Sequence, residues 1–183
     1  MPLNALIEKL PASARDLRLN FSSLVLTGTE LTPQQLWGTA VACAIAARSP
    51  RLIAAALETA AKNVSPQVLE AARSVAAVMG MNNIWYRFHH LSSNPRYSSM
   101  PARLRMSALR GHGVEDADVE LWSLAVSALN GCGKCVDAHE KAVREKGASE
   151  EQVAAAVRVA AVIHALAVAV DCAEAECTAA ASS

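Results

Sequence analysis

Residues 116–147 read DADVELWSLAVSALNGCGKCVDAHEKAVREKG. Asp116 to Leu129 reads as a strong helix, and Asn130-Gly131 suits the left-handed conformation in which helices often end. A second helix is predicted from about Cys132 to Lys146, closed by Gly147. The order decides the fold class. A thioredoxin domain places its CxxC after a β-strand, whereas here the segment LWSLAVSALNG before Cys132 reads as helix. The stretch therefore points to an all-α chain with a cysteine pair at a helix start.

Composition agrees. The chain has 183 residues, 52% of them hydrophobic and only 4% aromatic, with alanine dominating the apolar total. Small side chains favour helices and let them approach closely, and they are poor material for a β-sandwich. With 17 basic and 17 acidic residues the formal net charge is zero. That balance carries no footprint for nucleic acid or an anionic membrane. The N-terminal stretch MPLNALIEKLPASARDLRLN lacks the pattern of an export signal, so a cytoplasmic protein is expected. The most apolar run, Val153 to Val170, is interrupted by Arg158 and His164 and reads as a buried core helix rather than a membrane span. Five cysteines without an export signal argue against a secreted disulfide framework and for a redox-active or metal-binding pair.

Helix signals follow one another along the chain. Asn4–Leu10 and Ser13–Leu19 are short candidates. Thr32-Pro33-Gln34-Gln35 is a capping-box start for a helix to about Arg48. Further helices are predicted over Arg51–Lys62, from Ser65-Pro66 to about Met81, and over Ile84–Leu91. A loop at residues 92–99 precedes a helix from Pro101 carrying Leu104 and Leu109 and ending at Gly111. Ser149-Glu150-Glu151-Gln152 is a second capping box, opening a helix to about Val170.

The two halves resemble each other. Leu36, Trp37, Ala40 and Val41 recur as Leu121, Trp122, Ala125 and Val126, an offset of 85 residues (121 minus 36). At the same offset Val68, Ala71, Arg73 and Ala76 meet Val153, Ala156, Arg158 and Ala161. This predicts a single domain over 1–183 built of two related helical halves, a degenerate one at about 13–99 and a catalytic one at about 100–170, with a frayed tail at 171–183. Cys132, Cys135 and His139 align with Ala47, Pro50 and Ala54, so only the second half carries the chemistry.

On a helix Cys132, Cys135 and His139 fall at i, i+3 and i+7, on one face. Unpaired N–H groups at the helix start stabilise a thiolate, and Lys134 adds a positive charge nearby. By that argument Cys132 is the more readily ionised and exposed thiol. His139 can take or return a proton near neutral pH. Peroxide reduction needs such a set: a thiolate to attack O–O, a proton for the leaving oxygen, and a second thiol to resolve the sulfenic acid. Glu120 can serve the dipole of its own helix or, if the helices fold back at Gly131, approach His139. Spacing leaves both open.

Other readings of these residues are weaker. A structural zinc site needs two ligands beyond the CxxC, and only His139 with Cys172 and Cys177 is conceivable. Haem attachment requires CxxCH, but Val136 follows Cys135. Inert buried cysteines fit poorly with Gly133 and Lys134, which suggest an exposed turn. Trp37 and Trp122 read as core residues of the repeat, His164 as a core histidine and Cys43 as a small core hydrophobe. His89-His90 lacks supporting context, and Cys172 and Cys177 read as surface thiols.

Glu120-Leu121-Trp122-Ser123, Ala125-Val126-Ser127 and Asn130-Gly131-Cys132-x-x-Cys135-x-x-Ala138-His139-Glu140 carry a family resemblance. With Gln35 to Thr39 and Met79 to Asn83, they make the chain similar to the alkylhydroperoxidase AhpD family, of the carboxymuconolactone decarboxylase-like superfamily, from Leu17 to about Ala167. The resemblance implies a homotrimer of helical subunits that reduces alkyl hydroperoxides as an antioxidant enzyme. It implies Cys135 as the peroxidatic cysteine, Cys132 as proton donor and resolving thiol, a Cys132–Cys135 redox disulfide, and Glu120 with His139 as a proton relay. It implies no bound metal or cofactor. Electrons come from a dihydrolipoyl group on a 2-oxoacid dehydrogenase acyltransferase, and the AhpC peroxiredoxin is a further partner. One position departs from the family pattern: Lys134 stands where well-known members carry histidine, keeping positive charge without a proton shuttle near pH 7. A thiol-disulfide adaptor that only relays electrons is the main rival. A carboxymuconolactone decarboxylase would not require the redox pair.

Overall fold

Caps and glycines punctuate the chain where the sequence places them. The computed structural model describes residues 1–26 and 30–181. Among the described residues there are eight α-helices and no strand. They are α1 (Leu3–Ile7), α2 (Arg15–Leu26), α3 (Pro33–Ala47), α4 (Pro50–Ala60), α5 (Pro66–Leu91), α6 (Asp116–Leu129), α7 (Gly133–Glu145) and α8 (Glu150–Ala181). Thr32 Oγ1 accepts from Gln35 N at 3.2 Å while Gln35 Oε1 accepts from Thr32 N at 3.1 Å, the reciprocal box that starts α3. Ser149 and Gln152 repeat the arrangement before α8, at 3.2 and 2.9 Å.

The centre of the molecule is the contact between α3 and α6. Leu36 to Ala44 are all buried along α3, and Leu121 to Ser127 along α6. Helices buried on every side need small residues where they cross. Gly38 supplies one: a Cβ there would fall within the indole of Trp122. That indole is fully buried and donates from Nε1 to the Gln35 carbonyl at 3.2 Å. Trp37 is buried too, so both tryptophans occupy the repeat core as expected.

The halves correspond element by element. Shifting by 85, the starts of α3, α4 and α5 fall at 118 (33 + 85), 135 (50 + 85) and 151 (66 + 85), against 116, 133 and 150 for α6, α7 and α8. Around the central pair α3–α6, α5 packs on both members, and α8 does likewise.

Several boundaries differ from expectation. Helix α2 continues past Leu19 to Leu26, and α5 runs unbroken through Ile84 to Leu91. No helix starts at Pro101. Arg103 has φ +51°, and half-buried Ala102, Leu104 and Met106 alternate with exposed Pro101, Arg103 and Arg105. That spacing of two suits an irregular strap, and its only helical turn is a 3₁₀ turn at Ser107–Leu109. The loop at 92–99 contains another 3₁₀ turn, Pro95–Ser99.

Helix α8 passes Val170 and ends at Ala181, because neither glycine nor proline interrupts it. Asp171 Oδ1 accepts from Ser49 Oγ at 2.5 Å, and Glu174 pairs with Arg51 at 2.8 Å, tying the extension to α4 and its start. Residues 182–183 of the expected tail lie outside the described residues. By length and composition α8 could cross a membrane, but its Ile163, Leu166, Ala167 and Val170 stripe is buried in the core. His164 lies off that stripe and is exposed, contrary to its reading as a core histidine.

Candidate active site

The turn between α6 and α7 builds the site from backbone bonds. Gly131 adopts φ +69°, Gly131 N donates to Ala128 O at 3.1 Å, and Cys132 N donates to Ser127 O at 3.0 Å. This is the Schellman closure of α6. The same Cys132 is the N-cap of α7, its carbonyl accepting from Cys135 N at 3.0 Å and Val136 N at 2.9 Å. One residue thus ends one helix and begins the next, which places both sulfurs at the head of α7. Cys132 and Cys135 are joined as a disulfide with Cα atoms 5.3 Å apart, within the usual span.

Because Gly131 reverses the chain, α6 and α7 run antiparallel. Lys146 Nζ reaches Asp116 Oδ2 at 3.8 Å at one end of the hairpin. Further along, Glu120 Oε2 accepts from His139 Nδ1 at 2.7 Å. The carboxylate therefore meets the imidazole. Its side chain is 28% exposed and that of His139 18%. Donation from Nδ1 leaves Nε2 as the nitrogen free to exchange a proton.

A cleft of about 330 Å³ opens beside this pair. Helix α5 contributes Met79, Asn82 and Tyr86, the strap contributes Met106 and Leu109, and α7 contributes Lys134, Cys135, Ala138 and His139. Cys135 lines it and is 4% exposed, whereas Cys132 is fully buried behind. This corrects the expectation that Cys132 is the more exposed thiol: its position at the α6–α7 junction places it inside the core. Gly133 and Lys134 are exposed as expected, and the Lys134 ammonium sits 5.6 Å above the Tyr86 ring.

The turn is braced from α5. Asn83 Nδ2 donates to Ser127 Oγ at 3.0 Å, Asn130 Nδ2 to Asn83 Oδ1 at 2.9 Å, and Arg87 Nη1 to the Asn130 carbonyl at 2.6 Å. Spacing within the CxxC region did not signal these braces or the wall residues Met79, Asn82 and Tyr86. Their signal was the common α5 face at 79, 82 and 86, one to two turns apart.

The remaining candidates fall elsewhere. Cys43 is fully buried, and burial pushes its thiol far up from the ordinary range. Cys172 and Cys177 are exposed on α8, lining depressions other than the cleft. His89 is buried among Trp85, Tyr86 and Phe88, while His90 is exposed. Among the described residues no group of three or more His, Cys, Asp or Glu side chains is arranged to hold a metal ion.

Known proteins share this chain's pattern over most of its length. Residues 95–175, containing α6, α7 and most of α8, match the carboxymuconolactone decarboxylase family. The protein named alkyl hydroperoxide reductase AhpD of Acidobacterium capsulatum is 64% identical over 171 residues, 93% of each chain. Its namesake in Solibacter usitatus is 58% identical over 93% of this chain and 96% of its own. That of Koribacter versatilis is 56% identical over 95% and 90%. With identities of this size across nearly the full length of both partners, the chain belongs to the AhpD family of alkyl hydroperoxide reductases.

Proposed function

We propose that this chain is a thiol peroxidase that reduces alkyl hydroperoxides through a dithiol–disulfide cycle at Cys132 and Cys135. One observation carries the reading: Cys135 lies on the wall of an apolar cleft, one helical turn from an imidazole held by a carboxylate. An electron relay also needs a thiolate, but a peroxidase must in addition protonate a leaving alkoxide, and the Glu120–His139 pair serves that step.

In the reduced protein the Cys135 thiolate attacks the terminal oxygen of the hydroperoxide. The S–O bond forms as O–O breaks, and the leaving alkoxide takes a proton from Cys132, supported by the Glu120–His139 relay. The Cys132 thiolate then attacks the Cys135 sulfenic acid. The disulfide forms, and the departing hydroxide leaves as water with a proton from the relay. Two thiols and one hydroperoxide become one disulfide, one alcohol and one water. Lys134 supplies positive charge beside the thiolates.

A dihydrolipoyl group on a 2-oxoacid dehydrogenase acyltransferase closes the cycle. Its thiolate attacks the disulfide, and its second thiol resolves the mixed disulfide, leaving the lipoyl ring oxidised and the protein reduced. The reduced pair also passes electrons to the AhpC peroxiredoxin. No metal or bound cofactor takes part. We place the protein in the cytoplasm as a homotrimer; exposed Ile84, Phe88 and Leu91 on α5 support self-association. We read the chain as one domain whose half at about 13–99 is degenerate and whose half at about 100–170 holds the chemistry.

The test is steady-state consumption of cumene hydroperoxide. Turnover is expected with dihydrolipoamide alone and none without it. Consumption only after AhpC is added would make the chain an electron-relay adaptor and overturn the peroxidase assignment.

A further inference from the structure

Charge is balanced over the whole chain but not along it. Residues 71–114 carry six arginines and no aspartate or glutamate. Two of the six have partners: Arg73 pairs with Glu70 at 3.2 Å, and Arg87 donates to the Asn130 carbonyl at 2.6 Å. The other four, Arg96, Arg103, Arg105 and Arg110, are exposed, and none reaches a carboxylate among the described residues. Elsewhere Arg51, Arg144 and Arg158 each sit against a glutamate. The unpaired four lie on the strap and on the 3₁₀ turn before it, and the strap's Met106 and Leu109 line the cleft. Alternation along the strap leaves Arg103 and Arg105 exposed, while half-buried Met106 accepts from Asn82 Nδ2 at 3.0 Å. Lys134 adds a further exposed cation from α7 at the same cleft. Cations gathered without counter-charges raise the local positive potential, and at the rim of a site that potential attracts an anionic partner.

We infer that this arginine strap docks an acidic protein that delivers the reductant on a flexible dithiol arm. The inference rests on the reading that a dithiol reduces the Cys132–Cys135 disulfide. The shape of the site selects an arm. Cys135 is 4% exposed on the wall of a cleft of about 330 Å³, the size of a small-molecule pocket and too narrow for a folded surface. The partner's body therefore stops at the rim, where the arginines stand. The arm's thiolate attacks Cys135 as the Cys132–Cys135 bond breaks, and Cys132 leaves as a thiolate that takes the attacking thiol's proton. The arm's second thiol then displaces Cys135, and its proton passes to that sulfur. The arm ends as a cyclic disulfide and the protein as a dithiol, richer by two electrons and two protons. A nucleic acid or an anionic lipid would also meet the charge, but neither brings electrons to the cleft. An alkyl hydroperoxide is neutral and gains nothing from the strap, so the arginines act on the reductive half-reaction.

The probes are two peptides bearing a dihydrolipoyl-lysine, one flanked by glutamates and the other by glutamines. Stopped flow follows their reduction of the oxidised protein. At an ionic strength of about 0.01 M the acidic peptide is expected to react about tenfold faster. Raising the ionic strength to about 1 M shortens the screening length from about 30 Å to about 3 Å and should bring the two rates together. In the double variant Arg103→Glu/Arg105→Glu the acidic peptide should lose its lead. Dihydrolipoamide, which is uncharged, should reduce that variant within about twofold of the native rate. Equal rates for the two peptides, or a lead that survives the charge reversal or high salt, overturn the docking. Equal peptide rates together with retention of the protein by DNA or by anionic vesicles would give the patch to those partners instead. Should the variant fail to fold, the salt dependence of the native protein still decides. A native protein whose disulfide resists dihydrolipoamide defeats the dithiol reading itself, whereas reduction by dihydrolipoamide with no preference between the peptides defeats only this inference.

Discussion

Glu120 and His139 are nineteen positions apart in the chain and meet at 2.7 Å, carboxylate oxygen to Nδ1, across the α6–α7 hairpin. The pair exists because Gly131 turns the chain at φ +69°. Removing the imidazole with His139→Ala should slow hydroperoxide reduction by roughly 10²- to 10⁴-fold, the usual range for a general acid–base group. Glu120→Gln should also be slow, because an amide can donate to Nδ1 and favour the wrong tautomer. Both variants should keep a native thermal midpoint within a few degrees. Single-turnover rates near pH 7 check this, and unchanged rates would reduce the pair to a surface contact.

Gly38 faces the Trp122 indole with no room for a methyl group. Gly38→Ala gains helix propensity but overpacks the α3–α6 crossing, so a net destabilisation of about 1–3 kcal/mol is expected. Urea unfolding followed by tryptophan fluorescence measures it. A variant as stable as the native protein would mean that the two central helices separate easily.

Cys43 is held neutral by complete burial, which raises its thiol above the ordinary range. The sign follows from linkage. The fold favours the protonated form, so this contribution is full below the ordinary thiol range and is lost as pH rises beyond it. In the native protein at pH 8, iodoacetamide should modify exposed Cys172 and Cys177 and spare Cys43. Rapid labelling of Cys43 by peptide mapping would show that the α3 core opens far more readily than its packing implies.

Much of the fold could be read from local chemistry. Both capping boxes, the Asn130-Gly131 stop and the offset of 85 residues correspond to observed helix boundaries and paired elements. The CxxC helix start was equally legible, because cysteine spacing and a glycine turn are local signals. What escaped reading depends on tertiary placement. Cys132 looked exposed because helix-start logic ignores the Schellman bond that folds it inward to Ser127. Leu104 and Leu109 after Pro101 suit a helix, whereas the alternating burial of Ala102, Leu104 and Met106 belongs to an extended strap fixed by tertiary packing. For Asn82 the shared α5 face with Met79 and Tyr86 is legible, but the cleft it lines is not, since Met106 and Cys135 reach it from distant parts of the chain.

The central claim is that Cys135 is the sulfur that meets peroxide and Cys132 the one that resolves it. The most direct measurement exposes reduced Cys132→Ser and Cys135→Ser separately to one equivalent of cumene hydroperoxide and traps sulfenic acid with dimedone. Cys132→Ser should label at Cys135, which lines the cleft, and Cys135→Ser should label little, because Cys132 is buried behind it. Labelling at Cys132 in the second variant, with none at Cys135 in the first, would contradict the assignment and exchange the two roles.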